Sequence, residues 1–144
     1  MFSIAVDIVP EQFQNKPKQD LYQLTDDLFV AVVLVNNSNR EIRFPVIDTY
    51  YANRLQLFKD GVPLPYTDEI TKLLRSKDEN PASVEERSDR VLPPGEKTTV
   101  TNLDLRNWFG NLRPGLYKLT NRQRFEIDGP WTETSPELWF EIVR

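Results

Sequence analysis

Adjacent acids at Asp26-Asp27 and Glu85-Glu86 come nearest to a catalytic pair in this chain, because two carboxylates suffice to hydrolyse a glycosidic bond. Neighbouring residues of a strand point to opposite sides, however, and neither pair lies in an apolar setting that would raise a carboxyl pKa. Both pairs read as solvated surface. The sequence has no histidine and no cysteine, which removes Ser-His-Asp and Cys-His nucleophiles, histidine-ligated metals and zinc thiolates. Oxygen ligands occur in "TDD" and "DGPWTETSPE", but neither follows the D-x-D-x-D-G spacing of an EF-hand loop. No catalytic group, metal site or cofactor is therefore assigned, and the chain is expected not to be an enzyme.

The residues left for recognition are aromatic or apolar. Trp131 is flanked by turn residues in "DGPWTETSP", where an indole can stack on a sugar or a partner surface, or fold back over the end of the domain. Trp108 neighbours Leu105 and Phe109 and reads as core, whereas Trp139 alternates with Leu138 and Phe140 and reads as cover on the outer face of the last strand. Ile70, Leu73 and Leu74 stand at i, i+3 and i+4, the stripe of one short helix. That stripe must dock on its own domain or on a partner, since it is too narrow to hold a free helix in water.

At 144 residues, 39% hydrophobic and 28% charged, residues 1–144 are expected to form one domain with a self-sufficient core. A net charge of -4, with Lys and Arg scattered among carboxylates, argues against a nucleic-acid partner. The longest apolar run, Leu28 to Val35, is far short of the roughly 20 residues of a spanning helix. No membrane insertion is expected. The start, "MFSIAVDIVPEQ", lacks a basic leader and meets Asp7 early, which fits a cytoplasmic protein or an exported one (periplasmic or extracellular) whose leader is absent from this chain.

Strand signals dominate the rest. Phe2, Ile4, Val6 and Ile8 alternate up to Pro10, Leu28 to Val35 is apolar on both parities as in a central strand, and a further strand follows at about Glu41 to Val46. Leu55 and Leu57 lead into Asp60-Gly61, a pair suited to a tight hairpin. "VLPPGEKTTVTNLDL" restores strand character before a helical turn near Trp108, and two more strands run from Leu116 to about Ile127 and from Leu138 to Val143. Between the Asp60-Gly61 hairpin and "VLPPGEKTTVTNLDL" lies a long charged excursion at 67–89 carrying the Ile70 stripe. About seven short strands with one or two short helices in the connections predict an all-β antiparallel sandwich.

Within "LRPGLYKL", Pro114 and Gly115 make a bend and Tyr117 enters the next strand two residues past the glycine. That is where a tyrosine can bury its ring and bond its hydroxyl to backbone just upstream, pinning a crossover between sheets. "LPPGE", the leucine-rich crossover, "LRPGLYKL", the closing "WTETSPELWFEI" and "LVNNS" near Val35 together resemble bacterial immunoglobulin-like and fibronectin III-like domains. The resemblance implies an immunoglobulin-like β-sandwich. It departs from antibody domains in lacking both core cysteines and a third-strand tryptophan, Phe44 being the nearest large residue; Leu119 takes the place of the second cysteine, with Val32 or Leu34 its expected partner. This architecture serves adhesins, chaperones, enzyme-appended modules and intracellular proteinase inhibitors alike. The expectation is a non-catalytic binding or accessory module for a protein or surface glycan, with Trp131 and the Ile70, Leu73, Leu74 stripe as candidate contacts. The alternative is a proteinase inhibitor of the intracellular bacterial β-sandwich type, presenting the excursion to a protease.

Overall fold

A computed structural model describes residues 4–84 and 86–143; Phe2 of the first strand pattern and Glu85 of the second acidic pair lie outside them. The elements in chain order are β1 (Ile4–Pro10), β2 (Tyr22–Leu24), β3 (Phe29–Asn36), β4 (Ile42–Ile47), α1 (Thr49–Ala52), β5 (Asn53–Lys59) and β6 (Val62–Pro63). They continue with α2 (Asp68–Glu79), β7 (Glu86–Leu92), β8 (Lys97–Asp104), α3 (Leu105–Phe109), β9 (Gly115–Gln123) and β10 (Leu138–Ile142), with single 3-10 turns at Glu11–Phe13 and Pro81–Ser83. Strand is the prevailing structure, in three sheets with few helices. Among the described residues no helix is long and apolar enough to cross a membrane.

One sheet runs β1-β3-β8, a second β2-β10-β9-β5-β6, and β4 pairs with β7 alone. The pairings are antiparallel except β2 with β10, which run parallel. Central β3 is buried from Val30 to Leu34, which explains its apolar character on both parities: one face meets the core, and Phe13 of the first 3-10 turn packs against the same cluster as Val35. Residues of all three sheets share one buried cluster. The expected partners Val32, Leu34 and Leu119 all lie in it, each with no exposed surface.

Turn chemistry sets the registers. Asp60 and Gly61 have φ of 50° and 80°, the doubly positive pair of a two-residue hairpin, and Lys59 faces Val62 across it. In "NNSN", the buried Asn36 accepts from Ser38 N at 2.9 Å and donates from Nδ2 to Leu92 O at 2.9 Å, tying β7 to the end of β3. The Tyr117 ring is buried and stacks on Phe140 at 5.2 Å between centroids, and its hydroxyl donates to Arg113 O at 2.6 Å. Pro114 and Gly115 make the bend that this bond closes.

The 67–89 segment is less of an excursion than its charge implies. Thr67 Oγ1 accepts from Ile70 N at 3.2 Å to cap α2, Asp68 and Glu69 favour its first turn, and residues from 86 onward belong to β7. Backbone bonds to β4 hold that strand, so "ERSDRVL" needs no apolar alternation. Ile70 and Leu74 are 5% and 6% exposed and belong to the main core, with Leu73 half-buried beside them. The stripe is thus used within the domain and offers Ile70 and Leu74 to no partner, because docking them here removes their apolar surface from water.

Tyr117→Phe is expected to cost about 1 kcal/mol in equilibrium denaturation, the net worth of one buried hydrogen bond. Gly115→Val should cost more. Gly115 has φ of +154°, and a Cβ there would come within 2.8 Å of Lys59 Cε, so the larger residue meets both backbone strain and a side chain that must move.

Candidate functional site

The five-stranded sheet turns Leu55, Leu57, Tyr117 and Leu119 inward, and strand alternation therefore sends the intervening residues outward. The outward rows follow from the register: Arg54 opposite Arg122, Gln56 opposite Thr120, Phe58 opposite Lys118, and Lys118 opposite Trp139 on the next strand. This face is basic and polar at one end and apolar at the other. At the apolar end, Phe58, Leu116, Lys118 and Trp139 surround a hollow of about 220 Å³ closed by the Asp60-Gly61 turn. Lys118 Nζ lies 4.5 Å from the Phe58 ring centroid and 5.9 Å from that of Trp139.

At the basic end the segment that the sequence presents as a loop is laid along β9. Thr132 N donates to Gln123 O at 2.7 Å and Ser135 N to Asn121 O at 2.7 Å, while Thr132 Oγ1 and Ser135 Oγ accept from Gln123 N at 3.0 Å and Asn121 N at 2.9 Å. These bonds extend the sheet beyond β10 and fix Trp131 just before them. Its half-buried ring lies against Arg124, Arg122 and Arg54 at 4.3, 4.8 and 5.2 Å from the centroid. Three guanidinium groups thus lie against Trp131 and hold it on the sheet.

The three arginines differ in commitment. Arg54 donates from Nη1 to Tyr50 O at 2.6 Å and Asn53 O at 2.7 Å, and from Nη2 to Asp78 at 2.5 Å. Arg124 donates from Nε to Tyr51 O at 2.8 Å and from Nη2 to the same Asp78 oxygen at 2.5 Å, with its guanidinium 3.5 Å from the Tyr51 ring centroid. Their side chains are only 10% and 11% exposed. Arg122 is exposed, and among the described residues it has no carboxylate partner and its guanidinium donates no hydrogen bond. Three guanidiniums thus surround one indole with a single carboxylate between them.

Beside Arg122 opens a polar trough of about 370 Å³, lined by Arg54, Gln56, Tyr66, Thr120, Arg122 and Thr134. Tyr66 forms one wall and donates to Leu55 O at 2.6 Å. Burial raises its pKa against the opposing pull of Arg54 and Arg122, so the phenol stays neutral and keeps that bond. Burial would likewise raise Asp78, but hydrogen bonds and charge from Arg54 and Arg124 outweigh it and hold the carboxyl below its ordinary value of 3.8. A wider groove of about 850 Å³ separates β1 from the 131–136 segment, but among the described residues the only ionisable side chain lining it is Glu133.

Of the residues singled out in the sequence, the structure brings only Trp131 to this trough's edge. Asp27 caps a turn by accepting from Phe29 N at 3.2 Å, and among the described residues no group of three or more acidic side chains is placed to hold a metal ion. Trp108 is buried, stacked on Tyr50 at 5.6 Å and edge-on to Tyr66 at 5.7 Å. Arg54, Asp78, Arg122 and Tyr66 escape a linear reading because they converge from four separate segments. The one local signal is the "NRQRF" alternation, which sets Arg122 and Arg124 on one side of the chain. No family model matches the chain, and no curated protein shows significant similarity to it.

Asp78→Asn tests the bridge. A carboxyl whose folded pKa is depressed contributes stability above its unfolded pKa and loses it as pH falls through the folded value. Because Asp78 is 45% exposed, solvent screening limits the effect to about 1 kcal/mol or less. The variant should melt below the wild type at pH 7, with the gap closing below pH 3.8; a gap that persists in acid contradicts the charge-based account.

Proposed function

We propose that this chain is a non-catalytic recognition module with an immunoglobulin-like β-sandwich architecture, binding a protein partner across the outer face of its five-stranded sheet. The observation that carries this reading is the continuity of that face: exposed Trp139 and Leu116, at 40% and 37%, adjoin Phe58 and Lys118 and lead directly into the Arg122 trough. Single exposed apolar residues are ordinary, whereas a contiguous set beside oriented polar groups marks an interaction surface.

Three features support the architectural part. The order β1-β3-β8 against β10-β9-β5 parallels strands A-B-E against G-F-C of an immunoglobulin sandwich, and Tyr117 closes its corner at the start of the strand equivalent to F. The helix α3 makes the crossover just before it. A departure is β7, which pairs with β4 rather than extending the β1-β3-β8 sheet. A protein partner is favoured over a glycan because guanidiniums lie against the Trp131 ring. Recognition is favoured over proteinase inhibition because 68–79 is a docked helix, whereas an inhibitor needs an extended, exposed loop.

Selection of random 12-residue display peptides on the full chain tests this reading. Peptides competed by soluble protein should bind Trp139→Ala about tenfold more weakly, the loss of an aromatic anchor, while its melting temperature stays unchanged. Binding indifferent to Trp139→Ala would refute the assignment of this face.

A further inference from the structure

Resting on that reading of the face, we infer that its ligand is an acidic, extended protein segment whose carboxylate is received by Arg122 and whose apolar side chain, four residues away, fills the Trp139 hollow. The first ground is charge complementarity. Asp78 balances one of the three guanidiniums at Trp131 and hydrogen-bonds Arg54 and Arg124, so positive charge is left at Arg122 in a chain whose overall charge is -4.

The second ground is preorganisation. The Arg122 guanidinium is placed 4.8 Å from the Trp131 centroid, and among the described residues its N–H groups are used in no hydrogen bond. A guanidinium edge matches a carboxylate with two parallel hydrogen bonds, and holding it in place beforehand removes part of the ordering cost of binding. Thr120 and Thr134 bound the same trough and bring hydroxyl groups to it, while Tyr66, whose O–H is given to Leu55 O, walls it without a competing acid.

The third ground is spacing. Arg122 and Lys118 are four residues apart on β9, and Trp139 is level with Lys118. Four residues of strand rise about 13 Å. An extended peptide lying along β9 has the same rise, so side chains at i and i+4 meet the two subsites and, being an even number apart, point to the same side. Side chains at i and i+3 point to opposite sides and cannot fill both. Lys118 stands between Phe58 and Trp139 and is paired with Glu137 at 3.4 Å, so its charge is balanced there and the hollow suits an apolar side chain.

Four probes test this against the folded chain: 12-residue peptide pools with Glu and Phe four apart in either order, the same pools with Gln for Glu, pools with Glu and Phe three apart, and polygalacturonate. The Glu pools should bind about tenfold tighter than the Gln and three-apart pools, and more tightly than polygalacturonate. In Arg122→Gln, with melting temperature preserved, the Glu-over-Gln preference should vanish, and Arg122→Lys should recover part of it. Equal binding of the Glu and Gln pools, or a preference that survives Arg122→Gln, overturns the inference even where Trp139→Ala still abolishes binding and the recognition face stands. Stronger binding of polygalacturonate overturns the choice of a protein ligand.

Discussion

Asp78 is the counter-charge on which the basic end of the molecule depends. It reaches from α2 to one guanidinium of β5 and one at the end of β9, each at 2.5 Å, and those two side chains are otherwise almost excluded from water. Burying guanidinium groups is costly unless they are paired and hydrogen-bonded. Here the backbone carbonyls of Tyr50 and Asn53 accept two further bonds from Arg54, and that of Tyr51 accepts one from Arg124. The carboxylate arrives because α2 is docked by Ile70 and Leu74 and tethered by Lys77 to Asp48 at 2.8 Å. Apolar burial on one side of the helix thus places charge on another, and the paired arginines hold Trp131 as a platform for the third.

The corner at Tyr117 links this arrangement to the core. A slip of one residue in β9 would exchange its faces, turning Arg122 and Lys118 inward and Leu119 outward. Stacking on Phe140 and the bond to Arg113 O fix where β9 begins, and the side-chain bonds from Ser135 and Thr132 fix it again at its far end. The register that makes a core is therefore the register that presents a surface.

Local features were legible in the sequence because their causes are local. The alternation of β1, the two-sided burial of β3, the Asp60-Gly61 hairpin and the Pro-Gly bend before Tyr117 follow from residues within a few positions of one another. Tyr22–Leu24 was not visible as a strand, being three residues long and held by parallel pairing to the chain's last strand. β7 was hidden by its charges, since it joins a two-stranded ribbon through backbone bonds. The position of Trp131 was open in the sequence because the groups that hold it, from residue 54 to residue 124, are brought together only by the fold. The Ile70 stripe was recognised as helical, while its inward docking depends on a core the linear pattern does not show.

Nitrogen-15 NMR of the arginine side chains measures the central claim directly, because slow exchange of guanidinium N–H protons with water reports stable hydrogen bonds. In the free protein, Arg54 and Arg124 should show protected side-chain protons and Arg122 unprotected ones, and the Glu-containing peptide pool should shift and protect Arg122 alone. Equal protection of all three arginines before any peptide is added, or peptide-induced shifts at Arg54 and Arg124 with Arg122 unmoved, would contradict a fold that spends two arginines on Asp78 and keeps the third open for a ligand.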